Sequence, residues 1–298
     1  GAGKDKAESA CIIKIKKEAD MEKFTITQRE RLTELDAASE VLDREFDTKE
    51  ERNAEFKKIE TQMAREGRQR LKELVEGRHI TFTEEVSRRL QDWLMKDGYT
   101  KVSTPTIITR QMLEKMTIDE FHHLSEQVFW LDRKRCLRPM LAPNLYVMMR
   151  ELKRITNQPV KIFEIGSCFR KESQGAKHMN EFTMLNCVQL AVVQDGRQVE
   201  ALKEMAHSAM QALGIEDYEL VVEESTVYGS TVDIEIDGIE VASGSYGPHF
   251  LDKQWGVFDT WVGIGFGVER LAMAMSKSKT IKRFGRSIAF IDGEPLNI

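Results

Sequence analysis

The chain has 298 residues, 41% of them hydrophobic and 31% charged, which fits a globular protein with one large domain and a small appendage. No run approaches the roughly 18 apolar residues of a membrane span and no secretory signal opens the chain, so the cytoplasm is the expected compartment. The formal net charge of −5 counts against a protein devoted to gripping nucleic acid, and any such contact must come from local Lys/Arg patches. Cys11, Cys136, Cys168 and Cys187 show no C-x-x-C spacing and no paired histidines, so reduced, buried thiols are expected rather than a zinc site.

Residues 1–20 differ in character from the rest of the chain, and Met21 is a plausible natural start. They read as a tail or linker, or as the remnant of a fused module. Residues 27–77 are highly charged, with apolar groups at helical spacing: Leu32 and Leu35; Phe56, Ile59 and Met63; Leu71, Leu74 and Val75. Two or three helices are expected, broken near Asp47–Thr48. They form either a solvated hairpin or a surface that holds RNA. Thr81 and Glu84 make a T-x-x-E capping box. It opens a helix with the stripe Val86, Leu90, Trp93 and Leu94, closed by Gly98. A strand from Tyr99 to Ser103 stops at Pro105, which has no N–H for a ladder.

Residues 160–192 read as a hairpin of VKIFEIGSCFR and EFTMLNCVQLAVV. The charged loop KESQGAKHMN between them is a functional candidate. A helix is expected over Arg197–Leu213, capped by Asp195 with Gln198 three residues on, and ended by Gly214. Short strands YELVVEE, TVDIEI and IEVASGSY come next, the last two joined by the two-residue turn Asp237-Gly238. WVGIGFG then forms a glycine-broken strand running into a helix at VERLAMAM. Strands joined by hairpins argue for an antiparallel sheet with helices outside it, without β-α-β alternation.

Gly263, Gly265 and Gly267 are spaced G-x-G-x-G near the C-terminus, so a dinucleotide-binding fingerprint does not fit, and no P-loop string occurs. Alternate glycines bare one face of a strand to a flat ligand or to another backbone. Glu269-Arg270 sets a guanidinium beside that face at a helix start, a suitable place for a polyphosphate or nucleobase.

Three segments together resemble the signature motifs of class II aminoacyl-tRNA synthetases. The long helix and the strand ending at Pro105 resemble motif 1. The F-R-K-E around Arg170, with its loop and the strand returning at Phe182, resembles motif 2, and the G-x-G-x-G-x-E-R of 263–270 resembles motif 3. Within that class the chain is similar to the pyrrolysyl-tRNA synthetase family, through CLRPMLAPNLY (136–146), IFEIGSCFRKES (162–173), EFTMLN (181–186), VYG (227–229) and WVGIGFGVERL (261–271). The likeness covers roughly residues 80–298 and, more loosely, the helices from Met21. The small N-terminal tRNA-binding domain of many members has no counterpart in these residues, so the resemblance implies the bacterial-type arrangement, in which that domain is a separate chain.

The resemblance implies an α+β fold, an antiparallel sheet core flanked by helices, with N-terminal helices over 21–80 and a catalytic domain over 81–298. It implies a ligase that activates pyrrolysine with ATP and Mg2+ and loads it onto a cognate tRNA. A homodimer is implied, and a separate small tRNA-binding chain is a candidate partner. Arg170 would bridge the amino-acid carboxylate and the α-phosphate with its fixed fork. Glu172 would accept from the adenine amino group, and Phe182 would stack on the ring. Arg270 would cover the other face and reach the γ-phosphate, and His178 would touch the outer phosphates. Glu240 and Ser243 would hold magnesium, given a bend at Gly244. The side-chain pocket would be lined by Ala142, Leu145, Tyr146, Met149, Met184, Val188, Trp261 and Gly263, with Asn186 as polar anchor and Tyr228 as lid. Val188 and Gly244–Tyr246 fall where the family's pocket varies. The rival readings are a class II synthetase for another bulky amino acid, an adenylate-forming paralogue that uses no tRNA, and a non-catalytic tRNA-binding protein of the same fold.

Overall fold

Seven strands form one sheet: β1 Thr100–Lys101, β2 Val160–Phe169, β3 Glu181–Leu190, β4 Glu219–Ser225, β5 Gly229–Ile236, β6 Ile239–Gly247 and β7 Trp261–Gly267. Their spatial order is β1-β2-β3-β7-β6-β5-β4. The computed structural model describes residues 21–171, 179–225, 227 and 229–298. Residues 1–20, the expected tail with its Cys11, lie outside the described residues.

The long hairpin forms as the alternating sequence requires, with β2 and β3 in register from Val160 opposite Leu190 to Phe169 opposite Glu181. Asp237 and Gly238 both have positive φ, 50° and 72°, the conformation of the tight turn that matches strand twist. Among the described residues every strand pairing is antiparallel except one. β1 is two residues long and runs parallel to β2, so a β-α-β crossover exists where none was expected. The strand read as Tyr99–Ser103 ends early because the Thr104 N–H and hydroxyl turn to the Glu164 carboxylate and Pro105 has no N–H to offer.

Helices cover both faces. Against one lie α3 (Phe82–Lys96), α5 (Gln198–Leu213) and α6 (Val268–Met275), which pack Val86, Leu90, Leu94, Leu202, Ala209 and Leu271 onto Phe163, Leu185, Ile264 and Phe266. Against the other lie α4 (Ala142–Thr156) and the small antiparallel pair Ile107–Thr109 with Arg135–Leu137. Strand residues one apart fall in different clusters, Ile162 against Phe163 and Val188 against Cys187, the period of two that a sheet imposes.

Two caps differ from expectation. Arg197, not Asp195, is the N-cap of α5 and makes no side-chain cap bond. Asp195 accepts from the Gln198 side-chain amide instead of from the backbone. At α3 the Thr81 hydroxyl accepts from the Glu84 N–H as expected, but among the described residues Glu84 returns no bond to the Thr81 N–H; Asp292 accepts the next N–H, that of Phe82. A carboxylate at that end also suits the helix dipole.

The chain separates into two compact units, residues up to Glu66 and Gly67–Ile298. The first holds α1 (Ile26–Glu34), opened by a full capping box of Thr25 and Gln28. It also holds the start of α2 (Lys49–Glu73), which begins just after the break expected at Asp47–Thr48. Phe24, Leu32, Ala37 and Phe46 form its core, with Phe56, Ile59 and Met63 against them. In the second unit Leu74 is buried, but Val75 is 71% exposed. The apolar face expected there rotates away because Leu74–Arg78 is a π-helical turn, which breaks the 3.6-residue period.

Candidate active site

A cavity of about 230 Å³ opens among α4, β3, β6 and β7. Its walls follow from local periodicity. On α4 the residues Ala142, Leu145, Tyr146 and Met149 share one face at helical spacing, and all four line the cavity. On β3 the alternate residues Met184, Asn186 and Val188 point the same way, as do Trp261, Gly263 and Gly265 on β7, and these also line it. Asn186 and Gly265 lie opposite each other across the strand pair. A methyl on Gly265 would come 2.9 Å from Asn186 Oδ1, and one on Gly263 would come 2.9 Å from the Cys187 carbonyl. The bared strand is therefore where backbone and side chain approach closely. Asn186 Oδ1 is buried and has no hydrogen-bond partner among the described residues. An unsatisfied amide oxygen on a cavity wall is the kind of group a ligand is expected to satisfy.

The other end of the cavity is charged. Arg170 sits just past β2, where its N–H donates to the Asn180 carbonyl at 3.0 Å. Its Nε donates to the Pro139 carbonyl at 3.0 Å, and its guanidinium lies 5.3 Å from the centre of the Phe182 ring. Arg270 is in the first turn of α6. Its chain lies along Gly267, and its Nη1 is 3.3 Å from the Glu240 carbonyl and 3.6 Å from the Glu240 carboxylate. Desolvation by its surroundings pushes the Glu240 carboxyl above the usual carboxylate range; Asp233 and Glu223 add to this, while Arg270 and Arg170 oppose it. Ser243 donates to Asp233 Oδ1 at 2.5 Å. Glu240 and Ser243, three apart, both line the cavity. The bend that permits this is a register shift between Glu240 and Ala242, a β-bulge, and not a bend at Gly244 as the spacing had suggested.

Every expected site residue among the described ones lines this single cavity. Glu172, His178 and Tyr228 lie outside the described residues. Ser245, in the stretch expected where the pocket varies, lines it too, while Met140 and Met179 were missed by sequence reasoning, as were the buried bonds that hold its walls. Glu269, 2% exposed, accepts the Thr183 N–H with both oxygens at 2.9 Å and so ties α6 to β3. Arg138 and Glu164, 3% and 2% exposed, form an ion pair of 2.8 Å. The cysteines Cys168 and Cys187 are fully buried, and burial pushes both thiols up to about 12, in keeping with inert packing.

Residues 69–292 match the family of class II tRNA synthetase core domains. A crystal structure of pyrrolysyl-tRNA synthetase from Desulfitobacterium hafniense is 47% identical, with a TM-score of 0.87 over 93% of this chain and 99% of that one. The chain belongs to the pyrrolysyl-tRNA synthetases of class II. A second structure from that organism agrees, at 44% identity over 97% of this chain and 100% of the other. Membership in class II extends to more distant relatives. O-phosphoserine–tRNA(Cys) ligase of Methanopyrus kandleri is 27% identical over 53% of this chain, and threonine–tRNA ligase of a Ruegeria species is 31% identical over 34% of it. The chain spans a third or less of the length of these two relatives. No helix among the described residues is long and apolar enough to cross a membrane.

Proposed function

We propose that the chain joins pyrrolysine to ATP as an aminoacyl-adenylate, releasing diphosphate, and then transfers the acyl group to a cognate tRNA. The observation that carries this reading is the division of one cavity into two ends. Arg170, Arg270, Glu240 and Ser243 are gathered at one, and an apolar, methionine-lined recess with Asn186 as polar anchor lies at the other. A carboxylate and a triphosphate repel each other, so their reaction needs cations that hold both in line. Arg170 is suited to bridge the carboxylate and the α-phosphate, because its Nε is already fixed on Pro139 and its terminal nitrogens form a rigid fork. Phe182, whose ring centre is 5.3 Å from the Arg170 guanidinium, offers an adenine a stacking face, and Arg270 lies where outer phosphates would reach it. Glu172 and His178 would read the adenine and the tail of the triphosphate, and Tyr228 would close over the amino acid.

The donors at Glu240 and Ser243 are oxygens only, with the Asp233 carboxylate behind them, a set that suits a hard cation such as Mg2+. When bound, that ion would offset charge on the phosphate oxygens. Arg270 faces Glu240, so the two are poised to separate onto phosphate and cation. Among the described residues no histidine–carboxylate pair lines the cavity to take the ribose proton. A phosphate oxygen of the adenylate serves in its place, so the transfer step rests on positioning.

The likeness to pyrrolysyl-tRNA synthetases over nearly the whole chain supports pyrrolysine as substrate, and the class supports tRNA, ATP and a homodimer built on the motif 1 segment. ATP–diphosphate exchange measured across a panel of amino acids tests the reading. Pyrrolysine should drive exchange well above phenylalanine, threonine and phosphoserine. Exchange driven best by any of the others would replace the substrate assigned here.

A further inference from the structure

Tyr146 and Trp261 form two walls of the recess, yet their polar atoms do not face it. The Tyr146 hydroxyl donates to Asp252 Oδ1 at 3.0 Å. The Trp261 indole N–H donates to Asp252 at 3.0 Å, shared between both oxygens. The His249 backbone N–H donates to Oδ2 at 2.6 Å. Asp252 is 4% exposed and is not itself part of the cavity wall. Its carboxylate is thus saturated by donors, two of which are the far ends of wall residues.

The aromatic geometry follows from these bonds. Tyr146 and Trp261 meet edge to face, with centres 5.7 Å apart and planes at 80°, while the back of Tyr146 stacks on Trp255 at 5.2 Å and 8°. Packing of flat rings alone tolerates sliding, whereas a shared acceptor fixes both rings along their long axes. Gly247 completes the junction. A methyl there would fall 2.0 Å from Trp261 Nε1 and 2.6 Å from Asp252 Oδ2, so the carboxylate and the indole meet only because residue 247 has no side chain.

We infer that Asp252 is a positioning residue for substrate selection: by holding Tyr146 and Trp261 from behind, it sets the depth and width of the recess and presents only their apolar faces to the amino-acid side chain. The inference rests on the reading of this cavity as the amino-acid site. It places the specificity of the recess partly in a residue that touches no substrate, on the short helix Asp252–Trp255 that packs beneath it.

The test uses the full chain and ATP–diphosphate exchange. Asp252→Asn keeps the size but replaces one acceptor oxygen with a donor, which confronts an indole N–H or a backbone N–H with an N–H. The expected result is a KM for pyrrolysine raised about tenfold or more, a KM for ATP within about twofold of the parent, and a gain in exchange with bulky aromatic amino acids relative to pyrrolysine. Tyr146→Phe is the second variant. It should raise the amino-acid KM in the parent by a factor that largely vanishes in the Asp252→Asn background, because both changes remove one interaction. Unchanged amino-acid KM and ranking would overturn the inference. So would a parallel loss in both KM values and kcat together with a lower melting temperature, which marks a merely structural role. Independent effects of the two substitutions would overturn it as well. A parent chain inert to pyrrolysine but active with another amino acid would fail the substrate reading alone, and the same comparison made with that amino acid would still decide the role of Asp252.

Discussion

Breaking the buried ion pair of Arg138 and Glu164 should loosen the site from below. Both side chains are almost fully buried, 4% and 3% exposed, at 2.8 Å. Glu164 also accepts from the Thr104 N–H at 3.1 Å and the Thr104 hydroxyl at 2.6 Å. Arg138 donates to the Ser167 carbonyl at 2.9 Å and to Thr104, and the Asn144 amide closes the network on the Thr104 hydroxyl and the Pro105 carbonyl. The pair therefore joins the end of the motif 1 strand, β2 and the first turn of α4. The Arg138 carbonyl also accepts the Phe169 N–H, one residue before Arg170, and the next carbonyl, that of Pro139, holds the Arg170 Nε. Glu164→Leu would leave a guanidinium buried without its counter-charge, a loss of about 3–5 kcal/mol for this kind of break. At roughly 2–4 °C per kcal/mol for a domain of this size, the melting temperature should fall by about 6–20 °C. Replacing both partners, Glu164→Leu with Arg138→Met, removes the stranded charge and should recover most of that loss. Thermal or urea unfolding of the parent, the single and the double variant decides the matter. A single variant that loses less than about 1 kcal/mol, or a double variant no more stable than the single, would refute the argument that the charges depend on each other.

Other consequences are equally open to measurement. Arg170→Ala should abolish diphosphate exchange with the fold intact, and Arg170→Lys should fail nearly as badly, since an ammonium has no fork; near-normal exchange in either would remove the role proposed for Arg170. Gly265→Ala would set a methyl 2.9 Å from Asn186 Oδ1 and 3.2 Å from the Met184 methyl, so the KM for the amino acid should rise roughly tenfold, in line with overpacking of about 1–3 kcal/mol, while an unchanged KM would mean that the bared strand is not part of the recess. Burial holds the Glu269 carboxyl above the usual carboxylate range, so the folded chain binds this proton more tightly than the unfolded one and stability falls as pH rises from the ordinary carboxylate value through the raised one. Melting temperatures of Glu269→Gln measured against the parent from pH 4 to neutrality should therefore improve with rising pH, and a constant difference would refute the sign. On α2 the side chains Arg65, Arg68 and Lys72 are exposed, and neutralising all three should weaken tRNA binding and flatten its log–log salt dependence by roughly 2–3 units while sparing diphosphate exchange; an unaltered salt slope would leave the helix as scaffolding.

What could be read in the chain and what could not divides along a physical line. The strand WVGIGFG and the helix VERLAMAM are found at their expected bounds, β7 over Trp261–Gly267 and α6 over Val268–Met275. Alternating glycines, then an acidic first turn and apolar residues at helical spacing, are local signals that need no partner. The walls of the recess were legible for a related reason: Met184, Asn186 and Val188 alternate on one strand, so a resemblance at one position carries the other two to the same face. The Asp252 junction had no such signal. Its side-chain donors are Tyr146, 106 residues earlier, and Trp261, nine later, and nothing in HFLDKQW separates a buried acceptor from a surface aspartate. The same holds for Glu164, which interrupts an apolar run as a polar outward residue of a strand would. The bulge at Glu240–Ala242 was likewise invisible, because a bulge is a mismatch between two strands and neither strand carries it alone. Local periodicity thus sets which side chains face the cavity. The groups that hold them there are long-range acceptors, and a site read from motifs alone omits the residues that fix its dimensions.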